Sequence, residues 1–251
     1  VRLAARRIAG SAGVVVASSL IFGALVWWAP GSPRSDGETF FGWMSAFWRG
    51  VVLFDLGRSF RGIPIEELVV RGAATSLPIV FAALLLSLSI SLVMGLLLAE
   101  RLQAVSRWLR MAVHAGSLLP VFLLGYLALV VFAVRPDGPG LALAAVLVLA
   151  LGDGMLSDVL LRVDGEIAAL RERDFVQSAK LRGVPLFRHL LPHLALPLAQ
   201  AAASKMAFLL GGIVVLEKVL GIQGIGWIGY RAAQQGDFLL LLAITVFVTA
   251  L

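Results

Sequence analysis

Few side chains in this chain could carry chemistry, and their spacing decides what each could do. Asp153 and Asp158 invite comparison with a pair of catalytic carboxylates. Five residues apart on a helix they are separated by about 140° and share no face, and the first sits in a Gly-Asp-Gly run. Acid–base catalysis by this pair is not expected. His189 and His193 stand at i, i+4, the spacing at which one helical face presents two imidazoles to a metal. No third ligand accompanies them, so packing within a loop is their expected role and no metal site is assigned. Lys205 is the only Lys, Arg, Asp or Glu between residues 189 and 216. A lysine buried in lipid is costly, and it faces either a water-filled path or a partner. Two kinds of role follow: a pathway-lining cation that attracts a carboxylate or discourages free cations, or a structural one, an ion pair with Asp153 or Asp158 or a side chain that snorkels to the interface. The chain has no cysteine, which removes disulfides, zinc–thiolate sites and iron–sulfur clusters. It also has no G-x-x-x-x-G-K-[ST] phosphate loop, so any nucleotide must be bound by another chain.

The elements that hold these residues are membrane spans. Hydrophobic residues make up 60% of the 251 positions and charged residues 14%, against roughly 45–50% apolar in soluble proteins. Uncharged windows run over 8–33, 72–99 and 111–134, each longer than the ~20 residues that cross a hydrocarbon core. The first follows a basic stretch, RLAARRIAG, but exceeds the core of a signal peptide and is read as a retained span. Six spans are expected, at 8–29, 75–99, 108–134, 140–161, 197–216 and 238–251. The last would reach only about 21 Å, and continuation beyond both ends of the sequence is expected.

Orientation follows from Lys and Arg in the short connections. Arg2, Arg6, Arg7, Arg101 and Arg107 fall on one side with the basic segment from Arg162 to Arg188. On the other side the long 30–74 segment balances five arginines with five acids. Both ends of the chain are therefore placed on the cytoplasmic side. The net charge of +6 belongs to these loops and does not indicate a nucleic-acid partner. The external segment carries Trp43, Phe47, Trp48, Phe54 and Phe60 among its charges, which reads as amphipathic and interfacial.

The stretch DFVQSAKLRGVPLFRH, Asp174 to His189, lies in the connection of residues 162–196 between spans four and five. Helical spacing from Glu166 to Lys180, a break at Gly183 and Pro185, and resumed periodicity over Phe187–Leu191 predict a helix, a turn and a second short helix. Gly183 is expected at positive φ, and Pro185 suits the first turn of the next helix.

This segment resembles the E-A-A-x3-G coupling loop of ABC importer permeases, with Gln177, Ser178, Ala179 and Gly183 at that spacing. DFVQSAKLRGV is similar to the corresponding segment of permeases that import dipeptides, oligopeptides and nickel. Three further stretches agree in order with the B-type subunit of that family: WWAPGSP (27–33), DLGRSFRGIPIEELV (55–69) and GGIVVLEKVLGIQGIGWI (211–228). Departures are Gln177 and Ser178 in the E-A-A triplet, Gln223 for a proline, Ser32-Pro33 for Asp-Pro, and LALPLAQ after His193, which blurs the start of span five.

The resemblance implies an all-α integral membrane fold, a single permease domain over 1–251. Its parts are a first span at 1–29, an external segment at 30–74 and a five-span core at 75–251. It implies a bacterial or archaeal cytoplasmic membrane and a transport subunit rather than an enzyme. Its partners would be a second permease subunit, two ATPase subunits or domains carrying ATP and Mg, an extracytoplasmic solute-binding protein and membrane lipid. No cofactor would be bound by this chain itself. Coupling to the ATPase falls to Asp174, Phe175, Gln177, Ser178, Ala179, Lys180, Arg182 and Gly183, with Phe175, Ala179 and Leu181 as apolar anchors in a groove. Lys205, Glu217, Gly224 and Gly226 are the pathway or gate candidates, Glu217 opening an outer loop whose glycines at 221, 224, 226 and 229 allow close backbone approach. The alternative is a membrane-embedded enzyme, or a channel without an ATPase partner. The solute is left open among peptides, nickel complexes, sugar oligomers and other small solutes.

Overall fold

A computed structural model describes residues 2–30, 38–100, 106–132, 139–184 and 186–251. The described residues form eleven helices and one isolated β-bridge, an all-α integral membrane protein. The chain divides into two compact units, Val1–Ser76 with Gln223–Leu251, and Leu77–Ile222.

In the first unit, α1 (Arg2–Trp28) is uncharged from Ile8 onward and packs against the last helix, α11 (Phe238–Ala250). The expected amphipathic external segment contains α2 (Phe40–Leu53). Its N-cap is Thr39, whose hydroxyl accepts the Gly42 N–H at 3.2 Å, and its Trp43, Met44 and Phe47 are buried. Gly23 of α1 faces Met44, and a Cβ there would come within 2.7 Å of the thioether. A tight turn follows: the Gly62 N–H donates to Ser59 O at 2.8 Å, and Arg58 bridges to Pro64. α3 (Ile65–Glu100) then begins ten residues before the expected start of the second span, because Glu66 and Glu67 in its first turn suit the positive end of the helix dipole. α10 (Ile225–Gln235) completes this unit.

In the second unit, two of the expected spans are broken. The span expected over 108–134 is instead α4 (Ser106–Ser117) and α5 (Val121–Phe132), bent by 93°. Pro120 disfavours helix at Leu119 and cannot donate to the preceding turn. The span expected over 140–161 is α6 (Pro139–Leu151) and α7 (Met155–Arg171), bent by 49° at Gly152-Asp153-Gly154. The two breaks satisfy each other. Asp153 N–H donates to Leu119 O at 3.2 Å, Gly154 N–H to Ser117 O at 2.7 Å, and the Asp153 carboxylate accepts Val121 N–H at 2.8 Å. Backbone freed by the bends is thus paired inside the protein, as a lipid environment demands. Gly152 makes the approach possible, since a Cβ there would lie 3.2 Å from the Val121 Cα.

The predicted helix over Glu166–Lys180 is also interrupted: α7 ends at Arg171, and a turn at Glu172-Arg173 leads into α8 (Asp174–Leu181). The second short helix and the span expected over 197–216 are a single helix, α9 (Leu186–Leu220), which passes through Pro192 and Pro197. Prolines are tolerated there because neighbouring helices can take up the freed backbone groups. α9 packs against α5, α6, α7 and α8.

Candidate functional site

α8 is a helix of eight residues whose two faces differ. Val176 and Ala179 are fully buried, where α8 packs on α9. Asp174, Gln177, Ser178 and Leu181, spaced i, i+3, i+4, i+7, are all exposed, Leu181 to 89%. Such spacing draws one stripe along a helix. Phe175 is 40% exposed and its ring lies 5.0 Å from that of His193 on α9. Ala179, expected as an anchor for a partner, is instead turned into its own bundle. The apolar side chains left outward are Leu181 and part of Phe175.

The end of α8 is built as expected around Gly183, at φ +68°. Val184 N–H donates to Ala179 O at 3.1 Å and Arg182 N–H to Ser178 O at 3.3 Å, so the last carbonyls are closed by a left-handed residue that glycine supplies without steric cost. Arg182 also donates through Nε to Ser178 O at 3.2 Å. No atom lies within 4 Å of a Cβ built on Gly183, so conformation, not space, selects glycine. Lys180 belongs to α8, but its side chain, that of His189, and Pro185 lie outside the described residues. Among the described residues no group of three His, Cys, Asp or Glu could hold a metal.

Lys205 lies on α9 and donates to the Asp158 carboxylate on α7. Its side chain is 12% exposed and that of Asp158 52%, and its ammonium sits 5.1 Å from the Phe208 ring centroid. The geometry is that of the ion pair rather than of an unpartnered pathway cation. Asp153, the other partner considered, is at φ +50° and is used as the cap of α5. Two further polar contacts tie α4 to α7, and neither was foreseen. Arg110 grips Asp164 with Nε at 2.6 Å and Nη2 at 3.2 Å, and His114 Nδ1 is hydrogen-bonded to Ser157 Oγ. Their only sequence signal is the spacing of polar residues on two amphipathic helices, Arg110 with His114 at i, i+4 and Ser157 with Asp164 at i, i+7.

Glu217 does not open a loop. It is fully buried inside α9, and its carbonyl accepts the Ile222 N–H at 2.9 Å across Gly221, at φ +73°. Helix therefore continues past residue 216 to a glycine cap. Gly224 ends the short non-helical link 221–224 as the N-cap of α10, whereas Gly226 lies past that link, buried in the first turn of the helix. What fixes this helix start within its unit is Ser76 on α3, whose Oγ accepts the Ile225 N–H at 2.8 Å. Gly72 on the same helix is the position of close approach, for a Cβ there would lie 2.9 Å from the Ile225 Cα. Both were missed, since a serine and a glycine in an apolar helix carry no local mark of their partner.

Residues 91–251 match the family described as binding-protein-dependent transport system inner membrane component. Over 203 residues the chain is 28% identical to the nickel import system permease protein NikB of Staphylococcus aureus strains bovine RF122 / ET3-1 and MRSA252, and 27% identical to that of strain USA300. Each comparison covers 78% of this chain and 62% of the relative. The chain thus spans less than two thirds of the length of the curated relatives it matches.

Proposed function

Because the chain belongs to the family of binding-protein-dependent transport system inner membrane components, we propose that it forms half of the translocation pathway of an ATP-driven importer, coupled through α8 to a separate ATPase. The chain is a multi-pass membrane transport subunit, not an enzyme. In the proposed assembly it stands beside a second permease subunit, with two ATPase subunits or domains that carry ATP and Mg, and an external solute-binding protein delivers the cargo. Its N-terminus faces the cytoplasm. The solute is a peptide or a similar small molecule, nickel or a metal complex among them, and the named relatives favour the nickel branch.

The observation that carries the coupling role is the outward stripe Asp174, Gln177, Ser178 and Leu181 on a helix whose other face is fixed to α9. A helix held by its inner face and closed by a rigid glycine turn can transmit displacement to α7 and α9 when a groove grips its outer face. Leu181, almost fully exposed at the tip, is the apolar anchor such a groove requires.

The test is the complex purified from membranes with Leu181→Asp or Gly183→Pro. Both variants should insert normally, lose ATPase subunits on purification and lose ATP hydrolysis stimulated by the solute-loaded binding protein. Retained ATPase and unchanged stimulation in both variants would reject the assignment.

A further inference from the structure

The first unit holds a cavity of about 190 Å³ at the turn before α3, the start of α3 and one side of α10. Its wall includes three arginines from three different elements, Arg61 from the turn, Arg71 from α3 and Arg231 from α10, together with Trp227, Leu68 and a single acid, Asp237. Asp237 is committed elsewhere. One of its oxygens accepts the Phe60 N–H at 3.0 Å and the other the Leu240 N–H at 3.3 Å. Among the described residues none of the three arginines has an ion-pair partner, and Glu67, one turn before Arg71 on α3, makes no such pair with it.

We infer that this cavity is a binding site for the carboxylate of a small organic solute. Three arginines and one acid around one small cavity leave an excess of positive charge that an entering anion would offset, and the planar fork of arginine matches a carboxylate through paired N–H donors. Trp227 and Leu68 give the wall an apolar side suited to the body that bears the carboxylate. The volume admits the charged end of a small molecule, not a protein segment. The same balance of charge opposes a bare divalent cation, so a metal would enter here only inside an anionic chelate. The inference deepens the importer reading and rests on it for its meaning: the turn and α10 belong to the connections expected on the outer side, where an arriving solute is first met.

The experiment uses the complex purified in detergent, with succinate as probe and its uncharged isostere succinamide as control, followed by titration calorimetry. Succinate should bind saturably and succinamide should not. Arg231→Gln and Arg71→Gln should each weaken succinate by about tenfold or more, while Arg231→Lys should retain part of the affinity. Arg61→Gln, on the turn, gives a third variant that removes charge without disturbing a helix. Absence of saturable succinate binding, equal binding of succinamide, or unchanged affinity in all the Gln variants overturns the site. Inorganic phosphate that binds more tightly than succinate, or phosphatidylglycerol in nanodiscs that displaces it, also overturns the carboxylate assignment, in favour of a phosphate or a lipid headgroup. Co-purification of the ATPase with Arg231→Gln separates the two readings, since α8 is untouched and its association should persist. Failure of succinate binding with ATPase retained removes this site alone, and loss of ATPase from the unmodified complex removes the importer reading alone.

Discussion

Lys205 and Asp158, 47 positions apart in sequence, are ion-paired between α9 and α7. α7 runs into α8, so the pair links the long helix α9 to the helix that leads to the outward stripe. The ammonium is mostly enclosed while the carboxylate stays half exposed, and the Phe208 ring adds a cation–π contact on the lysine side.

Removal of this lysine should therefore destabilise the protein only moderately. Lys205→Met is expected to cost about 1–2 kcal/mol, between the ranges for exposed and buried pairs, because Asp158 retains access to solvent. Asp158→Asn in the same chain should recover most of the loss. A double-mutant cycle on thermal unfolding of the purified complex measures the coupling, and strictly additive effects would show that the pair contributes nothing.

Asp153 has two tasks, a left-handed backbone and a cap on α5. Asn supports both, so Asp153→Asn should be nearly neutral. Asp153→Ala loses the cap and strains the backbone, and should cost about 2 kcal/mol or more. Asp153→Gly relieves the strain without restoring the cap and should fall between them. Thermal unfolding midpoints that fail to follow this order would refute the dual role.

Ser76→Ala leaves the buried Ile225 N–H without its acceptor and should cost about 1–3 kcal/mol. Gly72→Ala presses a methyl against the Ile225 backbone, which cannot swing aside as a side chain could. Limited proteolysis at residues 221–224 should accelerate in both variants. Wild-type resistance in both would mean that this fastening is not what orders the start of α10.

The two faces of α8 should respond differently. Ala179→Leu overpacks the buried face against α9 and should lower stability by about 1–3 kcal/mol, with ATPase retention falling only as far as folding does. Gln177→Arg, on the outward stripe, should leave stability unchanged and weaken ATPase retention. Parallel measurement of unfolding and co-purification distinguishes them, and equal effects on both readouts would deny that the faces are distinct.

What the sequence determined by itself rests on properties that act over a few residues. Long uncharged windows required helices that cross a membrane, and the Gly183 cap was legible from a glycine after a periodic run, although that run holds two helices, α7 and α8, and not one. Other features were decided only by tertiary structure. The breaks at 117–121 and 152–154 exist together because each supplies the hydrogen-bond partners the other lacks in an apolar setting, and hydropathy saw only continuous apolar runs. The choice of Asp158 over Asp153 for Lys205 depended on the bend at Gly152–Gly154, which turned Asp153 back onto α5. Ala179 looked like an anchor for a partner until the packing of α8 on α9 buried it, and Glu217 looked like the start of a loop until a glycine cap carried the helix past it. Local propensity acts within a turn or two of helix, whereas partner choice depends on which distant segments the packed helices bring within hydrogen-bond reach.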